Sequence, residues 1–109
     1  MPVRSLDDAL HALADANRRK ILRQVRDRPL AVGEIASRVA MSQQAVSHHL
    51  SVLRGAGLVT GTREGARHLF VVRSEGFDVV REFLDSFWRP HLAALKRAAE
   101  ATQRQGRHG

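Results

Sequence analysis

Residues 42–54 read SQQAVSHHLSVLR, and this stretch decides the fold. Ser42 is a favourable N-cap, because its hydroxyl can accept a hydrogen bond from a backbone N–H of the first turn. Val46 and Leu50 then recur at the spacing of one helix face. Gly55 follows at the end, where glycine tolerates the conformation that stops a helix. The stretch predicts one amphipathic helix.

A shorter helix is predicted just before it, over about residues 32–39, with Ile35 and Ala36 facing inward. Only residues 40–42 separate the two helices, which is too short for anything but a turn. Two helices joined in this way form a helix-turn-helix, here over about residues 32–54.

After the second helix the apolar period changes from helical to alternating. Two strand-like runs, which start at Leu58 and at His68, flank a turn over residues 64–67 that contains glycine. They predict a β-hairpin, which forms the wing of a winged helix over about residues 58–73.

Two helices precede the helix-turn-helix. Ser5 caps the first, over about residues 5–14, and Asp15 caps the second. Pro29 ends the second helix, because a residue before proline avoids the helical conformation.

Ser74 is expected to cap a last helix over about residues 75–100, which Pro90 should kink or break. The predicted fold class is mainly α with a β-hairpin wing (α+β), in the order α-α-α-α-β-β-α. It forms a single domain over residues 1–109.

Composition agrees with one globular domain. The chain has 109 residues, of which 43% are apolar and 27% charged. Its 18 Lys and Arg residues exceed its 11 Asp and Glu residues, which gives a net charge of +7 and predicts a polyanionic partner.

Several classes of protein are excluded or disfavoured. There is no cysteine, so disulfides, thiolate metal sites and cysteine nucleophiles are excluded. No apolar run is long enough to span a membrane, and residues 1–10 lack the apolar core of a signal peptide. We therefore expect a cytoplasmic protein without membrane contact. No catalytic constellation is present, so an enzyme is not expected.

The outer face of the helix over residues 42–54 carries side chains suited to DNA. Amides can read adenine, hydroxyls and imidazoles can bind bases or phosphates, and no acid is present to repel the backbone. The wing adds basic residues, with Arg67 near its tip and Glu64 as its only acid. The predicted DNA-binding residues are Ser42, Gln43, Gln44, Ser47, His48, Ser51, Arg54, Arg63, Arg67 and His68. A solvated polar surface is the alternative for each.

Other candidate residues have simpler explanations. Arg18 and Arg19 could reach the DNA backbone, or they could be a surface pair on a helix. His49 points toward the interior, and we expect it to be packed with a backbone hydrogen bond. Asp7 and His11, together with His91, could form part of a metal site, but a helix start and surface histidines explain them better.

The last helix is apolar over a wide arc and needs cover on more than one side. A second subunit would supply that cover, since helix-turn-helix proteins commonly bind two-fold operators as pairs. The alternative is a monomer that buries all of these residues. The predicted dimer contacts are Leu6, Leu10, Phe83, Phe87, Trp88, Leu92 and Leu95.

Three segments resemble a known family. Residues 13–22, LADANRRKIL, resemble its opening motif, and residues 30–36, LAVGEIA, resemble the start of its helix-turn-helix. Residues 42–54, followed by AGLV at 56–59, resemble its recognition helix and the exit from it. Over about residues 5–100 the chain thus resembles the winged-helix repressors of the ArsR/SmtB family.

The departures from that family concern its metal sites. Many members carry Cys-x-Cys ahead of the helix-turn-helix, where this chain has Ala31 and Gly33. Others carry Asp-x-His and His-x-x-Glu or His-x-x-His motifs on the last helix, where the matching segments end here in Val80, Phe87 and Ala94. The resemblance therefore implies a repressor without the usual metal sites, and no metal or cofactor is assigned.

The leading hypothesis is a sequence-specific repressor that binds a double-stranded, inverted-repeat DNA operator as a homodimer. One alternative is a metal-responsive repressor that uses a site of His and Asp residues. The other is an architectural or RNA-binding winged helix that does not select an operator.

Overall fold

A computed structural model describes residues 5–106, and within that range the chain forms five α-helices and a three-stranded antiparallel sheet. A single 3₁₀ turn precedes the last helix. The elements are α1 (Leu6–Leu13), α2 (Ala16–Asp27), β1 (Leu30–Ala31), α3 (Val32–Val39), α4 (Gln43–Gly55), β2 (Val59–Glu64), β3 (Arg67–Val72), the 3₁₀ turn (Ser74–Phe77) and α5 (Asp78–Gly106). The predicted winged helix-turn-helix is confirmed, and β1 is an addition to it.

Three helices begin at the polar residues that the sequence indicates. Ser5 Oγ accepts from the Asp8 N–H at 3.0 Å, and Ser42 Oγ accepts from the Ala45 N–H at 3.1 Å. Asp15 Oδ1 accepts from two N–H groups at the start of α2. Each bond satisfies a donor that the helix itself leaves free, so local sequence sets these boundaries.

The hydrophobic core lies between the first four helices and the sheet. Its buried members come from every element between α1 and β3, among them Ala9, Ile21, Leu30, Ile35, Val46, Leu50, Leu58 and Phe70. Because the inner stripe of α4 is buried in this core, the opposite face of α4 is fixed toward solvent.

The sheet has the order β1-β3-β2. In the wing, β2 and β3 pair from Val59↔Val72 to Glu64↔Arg67, and Gly65 takes a positive φ of 62° in the turn between them. Strand β1 pairs with β3 through Leu30↔Phe70, which joins the wing to the start of α3. Two residues are too few to show an alternating pattern, so the sequence could not indicate β1.

Helix α5 starts later and runs further than predicted. Ser74 does not cap it but begins the 3₁₀ turn. α5 continues through Pro90 to Gly106, so of the predicted kink or break at Pro90 the break does not occur. With 29 residues it is about 44 Å long, which makes the molecule elongated, at 69 × 29 × 26 Å. No helix between residues 5 and 106 combines the length and apolar character that crossing a bilayer requires.

Candidate nucleic-acid interface

The outer face of α4 is an exposed polar surface. All of its predicted DNA-binding residues are exposed to solvent, whereas Val46 and Leu50 of the same helix are buried. No residue of α4 is acidic. We call this surface the α4 face; its members are Gln43, Gln44, Ser47, His48, Ser51 and Arg54. A helix with these side chains can enter a groove of DNA without repelling the phosphates.

Part of the α4 face continues into the base of the wing. Ser47, Ser51 and Arg54 line a cleft of about 200 Å³, and its far wall includes Phe70 of β3. Ser42 lies at the start of the face, where its hydroxyl oxygen caps α4. The cleft therefore joins the end of the α4 face to the base of the wing.

In the wing, Arg63 is exposed, but His68 is half-buried. The His68 ring packs on Phe70 with centroids 4.5 Å apart. It also covers Gly61, where the Cβ of any larger residue would lie 2.5 Å from His68 Nε2. These contacts give His68 a packing role at the base of the wing, which the sequence did not indicate.

Arg67 is paired within the protein. It donates to Glu34 Oε1 on α3, and the same oxygen accepts from the Ala31 N–H at 3.0 Å. The Ala31 N–H and then the charge of Arg67 hold the pKa of Glu34 below its usual value. Glu64 is therefore not the only acid close to the wing arginines, although it is the only one within the hairpin. Glu34 and Arg67 are 33 residues apart, so no local pattern could show their contact.

Arg18 does not reach out toward DNA, and neither is it half of a surface pair. Its side chain is 8% exposed and ties α1 to α2, because Nε donates to Ala12 O at 2.7 Å and Nη2 to His11 O at 2.9 Å. Arg19 is exposed, but its Nη1 donates to Leu13 O at 2.8 Å. Both side chains therefore bind carbonyls at the end of α1.

His49 packs toward the interior as expected, but without the expected hydrogen bond from Nδ1. This atom is buried and has no partner among the described residues. The neighbouring ring of His48 lies 5.7 Å away and is tilted by 56°, so the two histidines face different surroundings. Only His48 belongs to the α4 face.

Between residues 5 and 106, no three His, Asp or Glu side chains come together in a way that could hold a metal. Asp15, which the sequence places in line with Asp7 and His11, is engaged at the start of α2. Its hydrogen bond from the Arg18 N–H is the main reason that its pKa is lowered. The alternative His and Asp metal site therefore has no geometric support in this part of the chain.

A second surface is apolar and exposed. Phe87 is 66% exposed and Trp88 42% exposed, although both are large apolar side chains. α1 packs against α5, and its Leu10 is also a large apolar side chain exposed to solvent. Leu6 is half-buried. We call the exposed set the α1–α5 surface; it comprises Leu10, Phe83, Leu84, Phe87, Trp88, Leu92 and Leu95. Of these, Leu84 was not among the predicted dimer contacts.

Comparison with known proteins shows that the chain is similar to regulators of transcription. Residues 15–60 match the profile of a family described as "Bacterial regulatory protein, arsR family". The chain is 44% identical over 85 residues to the HTH-type transcriptional regulator Rv2034 of Mycobacterium tuberculosis. That alignment covers 78% of this chain and 79% of the relative.

Solved structures show the same architecture. An ArsR-like transcriptional regulator from Rhodococcus sp. RHA1 superposes with a TM-score of 0.69 at 28% identity, covering 86% of this chain and 92% of that one. A homodimeric winged helix-turn-helix DNA-binding domain, Mb0332 from Mycobacterium bovis, is described as a possible ArsR-family regulator. It gives a TM-score of 0.60 at 32% identity, covering 80% of this chain and 83% of that one. The similarity thus extends well beyond the helix-turn-helix.

Proposed function

The chain belongs to the ArsR family of bacterial regulatory proteins, and on that premise we propose that it is a DNA-binding transcriptional repressor. It acts as a homodimer on an inverted-repeat operator. Each protomer places α4 in the major groove, and the wing lies against the flanking backbone or minor groove. Since its ligand is chromosomal DNA, we place the protein in the cytoplasm.

The observation that carries this proposal is the α4 face. It presents two adjacent glutamines, Gln43 and Gln44, together with hydroxyls and an imidazole. The opposite side of α4 packs into the hydrophobic core. A glutamine amide can form two hydrogen bonds with adenine, so these residues supply sequence readout. Arg54 and Arg63 lie at positions suited to phosphates, which supply affinity.

The α1–α5 surface supports the homodimer. Phe83 and Phe87 pack edge to face at 5.0 Å and stay exposed in the single chain, as does Trp88. A contiguous apolar patch of this kind is unfavourable in water and marks an interface. A second copy is the partner we propose, because the similar Mb0332 domain is described as homodimeric.

Selection of binding sites from random duplexes tests the proposal, followed by mobility-shift titrations on the selected sequence. The wild-type protein should select one inverted repeat whose half-sites lie about one helical turn, ~34 Å, apart. Similar affinity for every duplex at fixed salt would instead indicate an architectural protein.

The readout itself is tested with a triple variant, Gln43→Ala, Gln44→Ala and Ser47→Ala. We expect its discrimination to fall by about 1–3 kcal/mol for each base that it no longer reads, while it retains non-specific binding. Gln103→Ala, an exposed glutamine on α5, is the matched control and should leave operator preference unchanged. Wild-type preference in the triple variant would refute the assignment of α4.

A further inference from the structure

A cluster of positive charge lies between α2 and the end of α3. Lys20 and Arg23 project from α2, and Arg38 projects from the last turn of α3. With Gln24, Val39 and Ala40 they line a cleft of about 270 Å³ that contains no acidic side chain. We call it the basic cleft.

No carboxylate lies within ion-pair distance of these charges in the described part of the chain, although Glu34, one turn before Arg38 on α3, has its pKa lowered mainly by the Ala31 N–H and in smaller part by Arg38. None of the three cations forms an ion pair there, although Arg18, only two residues before Lys20, is paired with Asp15. All three are exposed. Because like charges that share a cleft repel one another, an anion bound between them would be favoured.

The chemistry of the lining suits phosphate. A guanidinium presents paired N–H donors that match two phosphate oxygens, and an ammonium adds a point charge. Gln24 contributes an amide N–H, which can donate to a third oxygen. The combination of two Arg, one Lys and one Gln therefore fits closely spaced phosphate oxygens.

The position of the cleft indicates where such phosphates come from. Ala40 lies in its wall, and Gln43, the first residue of α4, is three residues later. Three residues span at most about 11 Å of chain. A phosphate in the cleft would therefore lie within about one helical turn of the bases that α4 is placed to read.

We propose that the basic cleft binds phosphate groups of the DNA backbone that flank the bases contacted by α4. The inference rests on the proposed function and extends the protein–DNA contact beyond the recognition helix and the wing, onto α2. A free polyphosphate compound carries the same chemistry, so the experiment has an arm for each source.

The test compares two triple variants with equal changes of net charge. The first, Lys20→Gln, Arg23→Gln and Arg38→Gln, removes the charges of the cleft. The matched control, Lys96→Gln, Arg97→Gln and Arg104→Gln, removes three exposed charges from α5 that likewise have no ion pair in the described residues. Circular dichroism melting verifies that both fold.

Affinity is measured at several salt concentrations on two duplexes. One ends at the edge of the selected operator, and the other extends about ten base pairs, one helical turn, beyond it on each side. The salt slope is the slope of the logarithm of the binding constant against the logarithm of the salt concentration. On the long duplex, this slope should be shallower in the cleft variant by about 0.9 for each phosphate that the variant no longer binds. If each protomer of a dimer loses one phosphate, the slope changes by ~2. The short duplex should show a smaller change. Equal decreases in the cleft variant and the α5 control would overturn the proposal, because they would reflect net charge alone.

The second arm uses tripolyphosphate without DNA, monitored by amide NMR. In the wild type, tripolyphosphate should shift the amide signals of Arg38 and Ala40, and these shifts should be absent from the cleft variant. If the cleft variant changed the salt slope equally on the two duplexes, such shifts would show a phosphate site whose ligand is a free compound. No response in either arm would overturn it. Should the protein select no operator at all, the proposed function fails, and the tripolyphosphate arm still tests the cleft by itself.

Discussion

At the scale of single residues, Glu34 partly neutralises Arg67, one of the wing arginines proposed to bind DNA. Its carboxylate pairs with Arg67 in the free protein and would compete with a DNA phosphate for the same guanidinium. We expect Glu34→Gln to tighten non-specific DNA binding, because the neutral amide still accepts from Ala31 N–H but attracts Arg67 less. Arg67→Ala should weaken binding across all sequences. Titrations of a random duplex at several salt concentrations compare the two, and weaker binding by the Glu34 variant would contradict this competition.

The same residue predicts a dependence of stability on pH. The folded protein lowers the pKa of Glu34 below its ordinary value of 4.5, mainly through the Ala31 N–H. The ionised carboxylate therefore contributes to stability in full above that value, and its contribution is lost as pH falls through the lowered pKa. The difference in free energy of unfolding between wild type and Glu34→Gln should shrink below pH 4.5. Urea titrations from about pH 7 to about pH 3 measure it, and a difference that stayed constant would exclude this role.

Arg18 has a structural role, and its removal should lower the free energy of unfolding. Arg18→Ala removes the donor to the Ala12 carbonyl, whereas the His11 carbonyl still accepts from the Ala14 N–H at 3.3 Å. An unsatisfied buried polar group costs about 1–3 kcal/mol, so we expect a loss of ~1–3 kcal/mol in the free energy of unfolding. Arg19→Ala is the natural comparison, because Arg19 is exposed and makes a single such bond. Similar losses for the two variants in chemical denaturation would show that burial of Arg18 is unimportant.

At the scale of elements, the turn between α3 and α4 carries local strain. Ala40 has a φ of 55°, in the left-handed region that costs a residue with a Cβ about 1–2 kcal/mol. Ala40→Gly should raise the free energy of unfolding by ~0.5–1 kcal/mol, after the greater flexibility of glycine in the unfolded chain is counted. Ser37→Gly, inside α3, should instead lower it by ~0.5 kcal/mol. Thermal melts of the two variants should shift in opposite directions.

The 3₁₀ turn sits directly on the connection that leaves α4. A Cβ at Gly76 would lie 1.8 Å from Gly57 O, so Gly76→Ala must displace one of the two segments. We expect a loss above ~2 kcal/mol, within the range of overpacked positions. Nothing lies within 4 Å of a Cβ at Gly55, so Gly55→Ala should be neutral or slightly stabilising. If Gly76→Ala were as stable as the wild type, the 3₁₀ turn would be able to move away from Gly57 without cost.

Local and long-range determinants of this fold differ in how far the sequence reveals them. Caps such as Ser42 and Asp15 act within three residues, and the sequence alone was sufficient to locate them. The Glu34–Arg67 pair and strand β1 depend on contacts between distant segments, which no periodic pattern reveals. The burial of Arg18 was missed for the same reason, since a buried arginine and an exposed one look alike in sequence.

At the scale of the whole molecule, the α1–α5 surface predicts that two copies of the chain form a dimer. Phe87→Glu places a charge in its middle, where desolvation opposes burial, and should shift the protein from dimer to monomer. Analytical ultracentrifugation measures the change. Affinity for a full inverted repeat should fall by about tenfold or more, because the two half-sites are no longer bound as one unit, whereas affinity for a single half-site should not change. Gln103→Glu adds the same charge far along α5 and should remain dimeric; a dimeric Phe87 variant would place the interface elsewhere.

The Arg18 clasp, formed by its bonds to the carbonyls of His11 and Ala12, has a consequence for which operators the assembly accepts. It fastens α1 to α2, α2 packs on α4, and α1 packs on α5, so α4 is connected to the proposed dimer contact through packed helices. The two protomers of the proposed dimer should therefore hold their α4 helices at a fixed distance and a fixed relative angle. Each base pair inserted between half-sites moves them apart by ~3.4 Å and turns them by ~35°. We expect the protein not to bind an operator in which even one base pair is inserted between the half-sites. Weakening the Arg18 clasp should widen the range of half-site spacings that the protein binds.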